Sequence, residues 1–226
     1  MSLPPAWPLR ARVALLALLP LLAAPSVQAA AAAAAQLDQR GHSTVPQQLC
    51  DPLQHGAKGD GTTDDTRAIA AAVAACRGGG VVLLAAGRTF ISGPFNLTSH
   101  QVLRVEGTLR APAVPDLARW PRLPHFPSYQ LSRSGHWTRY APLVGAYNQT
   151  NITIDGAGGT GTIDGQGAWW WDAAVTRNAL SAERPRLVEP EWVRGFVVQG
   201  ITLTQSPYWT LHPIYCDDVR VSNAVI

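Results

Sequence analysis

A chain of 226 residues allows one good-sized domain or two small ones. Its formal charge of +3 falls to +1 once Arg10 and Arg12 leave with an N-terminal export segment, and so balanced a chain gives no support for nucleic-acid binding. The three cysteines, Cys50, Cys76 and Cys216, include no pair at metal-ligand spacing, which argues against a zinc site.

In chain order, Arg10 and Arg12 precede an apolar run over 13–24, and Val27-Gln28-Ala29 supplies a small-residue cleavage pattern. The run is too short to cross a bilayer, so residues 1–29 read as a secretory signal peptide, with a transmembrane anchor as the alternative, and the mature chain as free of the membrane. Residues 30–47, alanine-rich and then polar, carry no periodicity and read as a disordered linker. The ordered domain is expected over 48–226. Export permits a disulfide, and Cys50 with Cys76, which flank the first folded segment, are the expected pair. Cys216 is then a buried thiol or bonds to a partner outside the chain.

Residues 55–61 are rich in turns, and 66–77 read as a helix with Ile69 and Val73 four apart. Thr62 to Asp65 are placed to cap it, and Gly78-Gly79-Gly80 to end it. No strand leads in and no Gly-Lys-Ser/Thr follows, which rules against a phosphate loop. Asp64 and Asp65 are accordingly read as caps, not catalysts. Buried strands are expected at 81–84 and 88–91, and 102–107 carry half of a recurring pattern.

Residues 111–140 differ: proline-rich and aperiodic, they carry Trp120, Phe126, Tyr129, Trp137 and Tyr140. Such a loop reads as ordered, its rings lining a cleft or filling a core. The strand pattern returns at 151–156. Trp169, Trp170 and Trp171 cannot share one face of a strand, so one is expected to pack and another to be free for a ligand. Asn96, Asn148 and Asn151 open glycosylation sequons; the first two are candidate glycan sites, and Asn151, at a strand start, is expected to be hidden.

The stretch 196–226 repeats itself at 23 residues. Phe196 falls over Val219, Val198 over Val221, Ile201 over Ala224 and Leu203 over Ile226. Gly200 and Asn223 stand at the same place in each copy, and both residue types accept positive φ. Each copy reads as strand, corner, strand, which is the pattern of a stacked coil. Two hairpin-linked strands of a sandwich are the alternative on this stretch alone.

Together these motifs resemble glycoside hydrolase family 28, the polygalacturonases. The resemblance rests on Gly56-Ala57-Lys58-Gly59-Asp60-Gly61-Thr62-Thr63-Asp64-Asp65-Thr66, on Gly78-Gly79-Gly80-Val81-Val82, and on Tyr140-Ala141-Pro142-Leu143-Val144. Narrower still are Gly161-Thr162-Ile163-Asp164-Gly165-Gln166-Gly167 with Trp170-Trp171, and Trp209-Thr210-Leu211-His212-Pro213. The resemblance implies an all-β, right-handed parallel β-helix with one short N-terminal capping helix. It also implies a secreted, cell-wall enzyme that hydrolyses α-1,4-galacturonosyl bonds of pectin with inversion, using paired carboxyl groups and no cofactor or metal.

The family's Asn-Thr-Asp, Gly-His-Gly and Arg-Ile-Lys motifs do not occur, and the second Asp-Asp pair, Asp217-Asp218, sits in a turn before the last coil. The expectation is therefore an N-terminal portion, truncated before its catalytic coils, with no catalytic residue of its own. A non-catalytic carbohydrate-binding or structural β-helix is the second reading. A lyase is the third, disfavoured because no cluster of three carboxylates is visible in the sequence. The candidate substrate contacts are Trp209, His212, Arg184 and Arg186, the arginines as partners of galacturonate carboxylates.

Overall fold

The computed structural model describes residues 48–129 and 138–226. The expected signal segment and linker lie outside those residues, as does Trp137. The first turn of the described chain holds β1 (Leu49–Cys50) and β2 (Asp60–Asp64), followed by helix α1 (Thr66–Ala75). The second holds β3 (Gly80–Leu84), β4 (Thr89–Ile91) and β5 (Phe95–Asn96). The third holds β6 (Gln101–Val105) and β7 (Thr108–Arg110), then an antiparallel pair, β8 (Arg122–Pro124) with β9 (Thr138–Tyr140), before β10 (Val144–Tyr147). The fourth holds β11 (Thr150–Asp155) and β12 (Gly161–Asp164), then helix α2 (Ala168–Trp171) and a π-helical turn over Asp172–Thr176, before β13 (Val188–Glu191). β14 (Arg194–Gln199), β15 (Ile201–Thr204) and β16 (Asp217–Ser222) complete the chain.

Strands of successive turns pair in parallel and form three sheets, β1-β3-β6-β11-β14-β16, β2-β4-β7-β12-β15 and β5-β10-β13. The fold is a right-handed parallel β-helix. Its core consists of ladders of aligned side chains. Val82, Leu103, Ile154 and Val198 pair in register in the first sheet, each fully buried. Phe90, Leu109, Ile163 and Leu203 do the same in the second. Each such side chain contributes about 1.5–3 kcal/mol by burial.

The 23-residue repeat is a pair of stacked coils: Phe196 aligns with Val219 and Val198 with Val221, and Thr202 bridges to Val225. Gly200 and Asn223 turn the corner at φ 53° and 50°. The Ile163-Asp164-Gly165-Gln166-Gly167 motif has a packing reason. A Cβ at Gly165 would sit 2.7 Å from the Gln205 carbonyl oxygen, and one at Gly167 2.5 Å from that of Ser206, so only glycine lets the next coil lie this close.

Helix α1 closes the N-terminal end of the helix, burying Ala68, Ile69, Ala72 and Val73 in the main core. Cys50 and Cys76, with Cα atoms 6.0 Å apart, are joined by a disulfide. Cys216 is a half-buried free thiol.

Two local expectations are corrected. Asp65 occupies the cap position but makes no capping bond; its buried carboxylate accepts instead from the Lys58 and Gly59 amides, and Asp64 takes the Thr66 amide. Asn151 is exposed, because it stands second in β11 with φ 54°, which swings its side chain out to approach His100. The three tryptophans sit on a helical turn, where 100° per residue separates them: Trp170 is fully buried, Trp169 half-buried and Trp171 exposed.

Candidate functional site

The two long excursions of the chain, 111–143 and 165–187, leave the same corner of successive coils and return into the three-stranded sheet. Their shared side is a second small core of Trp120, Tyr140, Trp170, Ala173, Leu180 and Ala182, with Trp120 edge-on to Trp170 at 5.2 Å. This core fixes both excursions beside the outer face of the three-stranded sheet.

On that sheet, inward residues Phe95, Val144 and Val188 align in the core, and the positions after them form an outward row of Asn96, Gly145 and Glu189. The bridge from Val188 to Leu211 sets His212 beside Glu189 in the next turn. Gly145 leaves space on this row, since a Cβ there would overlap the Asn96 amide oxygen.

Glu189 is the centre of a buried ionic network. Its Oε1 accepts from Arg139 Nη1, and its Oε2 accepts from His212 Nδ1 at 2.8 Å and lies 3.3 Å from Arg186 Nε. Arg139 Nη2 donates to Glu191 at 2.6 Å, and Arg186 Nη2 lies 2.7 Å from Glu183. Arg139, Arg186, Glu183, Glu189 and His212 are all buried. On the other side of the ring, His212 Nε2 forms a hydrogen bond with the Tyr129 hydroxyl at 3.2 Å. Burial pushes the Tyr129 hydroxyl pKa up, in keeping with its neutral form.

The 122–129 segment roofs this network. The Phe126 ring face packs 3.9 Å from the Arg139 guanidinium, and the ring is edge-on to His212. His125 reaches within 3.5 Å of Glu183, and burial, more than that carboxylate, decides its titration by holding its pKa below the usual imidazole value. Ser128 is tied to the Tyr215 hydroxyl, and Tyr215 stacks on Trp192 at 4.3 Å. Beneath the roof is an open cleft of about 490 Å³ lined by residues that include Arg139, Glu189, Glu191, His125, Tyr147 and Trp192.

The family model of the glycosyl hydrolases family 28 matches residues 91–226. The chain belongs to this family. A probable polygalacturonase of Vitis vinifera is 33% identical over 179 residues, which are 77% of this chain and 36% of that protein. Exopolygalacturonase A of Aspergillus niger is 27% identical over 71% of this chain and 34% of its own. A hyperthermoactive exopolygalacturonase of Thermotoga maritima superposes with a TM-score of 0.63 at 25% identity, over 80% of this chain and 47% of that one. The chain thus spans about a third of the length of the curated relatives it matches, 36% of the grapevine protein.

Against the family 28 background, the four expected contacts separate. His212 and Arg186 belong to the buried network, Arg186 paired internally with carboxylates instead of facing solvent. Arg184 is half-buried between the Trp171 and Tyr208 rings, at 3.7 and 4.5 Å, and donates to the Pro207 carbonyl. Trp209 is exposed, stacked with Tyr208 and edge-on to His212. Asp217 and Asp218 are on the surface, near Arg194 and Arg220. The fold draws Glu183, Glu189 and Glu191 into one ionic network through Arg139 and Arg186. Each of them meets a guanidinium, and among the described residues no group of acids, histidines or cysteines is arranged to hold a metal ion. Glu189 and Glu191, absent from the expected contacts, do carry a sequence signal: in Val188-Glu189-Pro190-Glu191 the acids alternate with apolar residues, which puts both on one face of a strand. Arg139 and Glu183 lie in aperiodic stretches with no comparable signal.

Proposed function

We propose that this chain is the scaffold and one cleft wall of a secreted polygalacturonase-type glycosidase that hydrolyses α-1,4-galacturonosyl bonds of pectin with inversion, and that the chain alone is inactive. The observation that carries this is the outer face of the three-stranded sheet. It presents a substrate-sized cleft, but its carboxylates are bound to arginines. Inverting hydrolysis needs one carboxyl group free to give a proton and a second, about 6.5–9.5 Å away, free to activate water. Glu189 is bonded through both oxygens to Arg139 and His212, and Glu191 through one oxygen to Arg139, so neither is an unpaired carboxylate. The motifs that would supply the acid and base do not occur in the sequence.

In this reading Trp209 and Arg184 keep surface for a pectic chain, whereas His212 and Arg186 hold Glu189 in place. Asn148, exposed at a corner, suits a glycan better than Asn96, which lines the cleft. Secretion rests on residues 1–29. Among the described residues no helix is long and apolar enough to cross a membrane. The test is release of reducing ends from polygalacturonate by the purified 226-residue chain. None is expected, and measurable turnover would show that the acids have been misplaced. Saccharide binding without turnover in any longer form of the protein would favour the carbohydrate-binding reading instead.

A further inference from the structure

The cleft beneath the 122–129 roof has a charge pattern at odds with an anionic sugar. Its one arginine among the described lining residues, Arg139, has an exposure of only 3%, and each of its three nitrogens donates a hydrogen bond. Nη1 serves Glu189, Nη2 serves Glu191, Nε donates to the Pro124 carbonyl, and the guanidinium face rests on Phe126. Against that single positive charge stand two glutamates. His125 is kept towards its neutral form by burial, and the neighbouring Arg186 and Glu183 cancel one another. The described lining therefore carries a net negative charge with no free cation, and a carboxylate entering it would lose water and gain a repulsive neighbour.

The rest of the lining suits an uncharged pyranose. Trp192 is 47% exposed, with one face stacked on Tyr215 and its remaining surface towards the cleft. It is held there at φ 56°, a conformation that a bulky residue adopts rarely. Asn148, at the matching corner one turn earlier, and Tyr215, one turn later, share it at φ 52° and 54°, so the corner geometry is built into the coil and Trp192 exploits it. Tyr147, 60% exposed, and prolines of the roof offer C–H surface opposite. Glu191 uses one oxygen on Arg139, and among the described residues the other has no partner, which leaves an acceptor for sugar hydroxyls.

We propose that this cleft is a binding subsite for a neutral sugar unit, an ester-capped uronosyl residue or an uncharged hexose, and that it discriminates against a free uronate. The proposal rests on the chain acting on plant-wall glycans, but it concerns binding alone and is tested without hydrolysis.

The test is calorimetric titration of the full chain at about pH 7, where uronates are ionised, with three trisaccharides: trigalacturonic acid, its fully methyl-esterified form and β-1,4-galactotriose. The expected result is that at least one neutral probe binds about ten-fold or more tighter than the acid. The better of the two neutral probes identifies the source of the sugar. Trigalacturonic acid binding as tightly as both neutral probes, or no binding by any of them, would overturn the proposal. Trp192→Asn, which tolerates the same backbone conformation, is expected to weaken the neutral probe about ten-fold with an unchanged circular dichroism spectrum. Glu191→Gln removes the excess negative charge and is expected to tighten the acid towards the neutral probes; an unchanged ratio would count against the charge argument. Loss of polygalacturonate turnover in every form of the protein would defeat the proposed activity and leave this subsite intact, while an acid-preferring cleft would do the reverse.

Discussion

Glu189 accepts a hydrogen bond from His212 Nδ1 across adjacent coils at 2.8 Å, and the same carboxylate meets the guanidinium groups of both Arg139 and Arg186. One side chain thus compensates two buried cations. Glu189→Ala would leave Arg139 and Arg186 enclosed with a single carboxylate partner each, and removing one member of a buried ion pair costs about 3–5 kcal/mol. His212→Ala removes one hydrogen-bond donor and leaves the arginine pairs standing, so about 1–3 kcal/mol is expected. Urea unfolding of the two variants is the check, and equal losses would show that the network is organised around the histidine instead.

The network is also expected to make stability depend on pH. Burial lowers the His125 pKa in the folded protein below its ordinary value of 6.5. Below that value the unfolded chain takes up a proton that the folded chain refuses, so the unfolded state binds more protons and stability falls as pH falls. The contribution is fully present above about pH 6.5 and is lost progressively below it, towards the folded pKa. Unfolding midpoints should therefore drop between about pH 7.5 and 5.5, and His125→Phe should flatten that part of the profile. A variant with an unaltered slope would place the proton elsewhere.

The coil was legible because it obeys local rules. Apolar residues at every second position define a strand, and residues able to take positive φ mark corners, so 196–226 disclosed both period and register before any contact was known. The ionic network was not legible. Arg139 and Glu189 are 50 residues apart and meet only because the excursion over 111–143 folds back across the sheet. No period governs that excursion, so its sequence announced aromatic content without saying which ring would roof the cleft. Trp170 and Trp120 filled a core, Phe126 went to the charges, and Trp171 stayed outside. The tryptophan run shows the same limit: three large rings in succession say that something is packed there, but only the helical turn decides which one.

The disulfide ties β1 to the end of α1, across 26 residues that include the whole first turn. A cross-link closing a loop of that length restricts the unfolded chain and is worth roughly 3–4 kcal/mol in the chain-entropy account. Cys50→Ser with Cys76→Ser should therefore lower the melting temperature by several degrees, with the loss concentrated at the capped end. Hydrogen exchange of the α1 amides would show it. If amides in β14 accelerated as much as those in α1, the cap would be coupled to the whole stack and not to its first coil.

Gly156 provides the sharpest test of coil spacing. A Cβ at this position would overlap the Gly200 carbonyl oxygen and approach Ile201 Cα, both belonging to the next turn. Neither can rotate aside as a side chain could, so the two coils must separate. Gly158, two residues on, meets nothing within 4 Å, but its φ of 76° makes alanine there strained in the backbone only. Gly158→Ala should accordingly cost about 1–2 kcal/mol. Gly156→Ala should cost about 3 kcal/mol or more, at the upper end of what overpacking does. Its effect should propagate, because parting β11 from β14 strains the Ile152 to Phe196 and Ile154 to Val198 pairs together. Urea titrations compare the two losses, and hydrogen exchange on β14 tells local strain from a parted stack. A loss at Gly156 no larger than at Gly158 would mean that the coils have slack, and the close approach would then set no limit on the sequence.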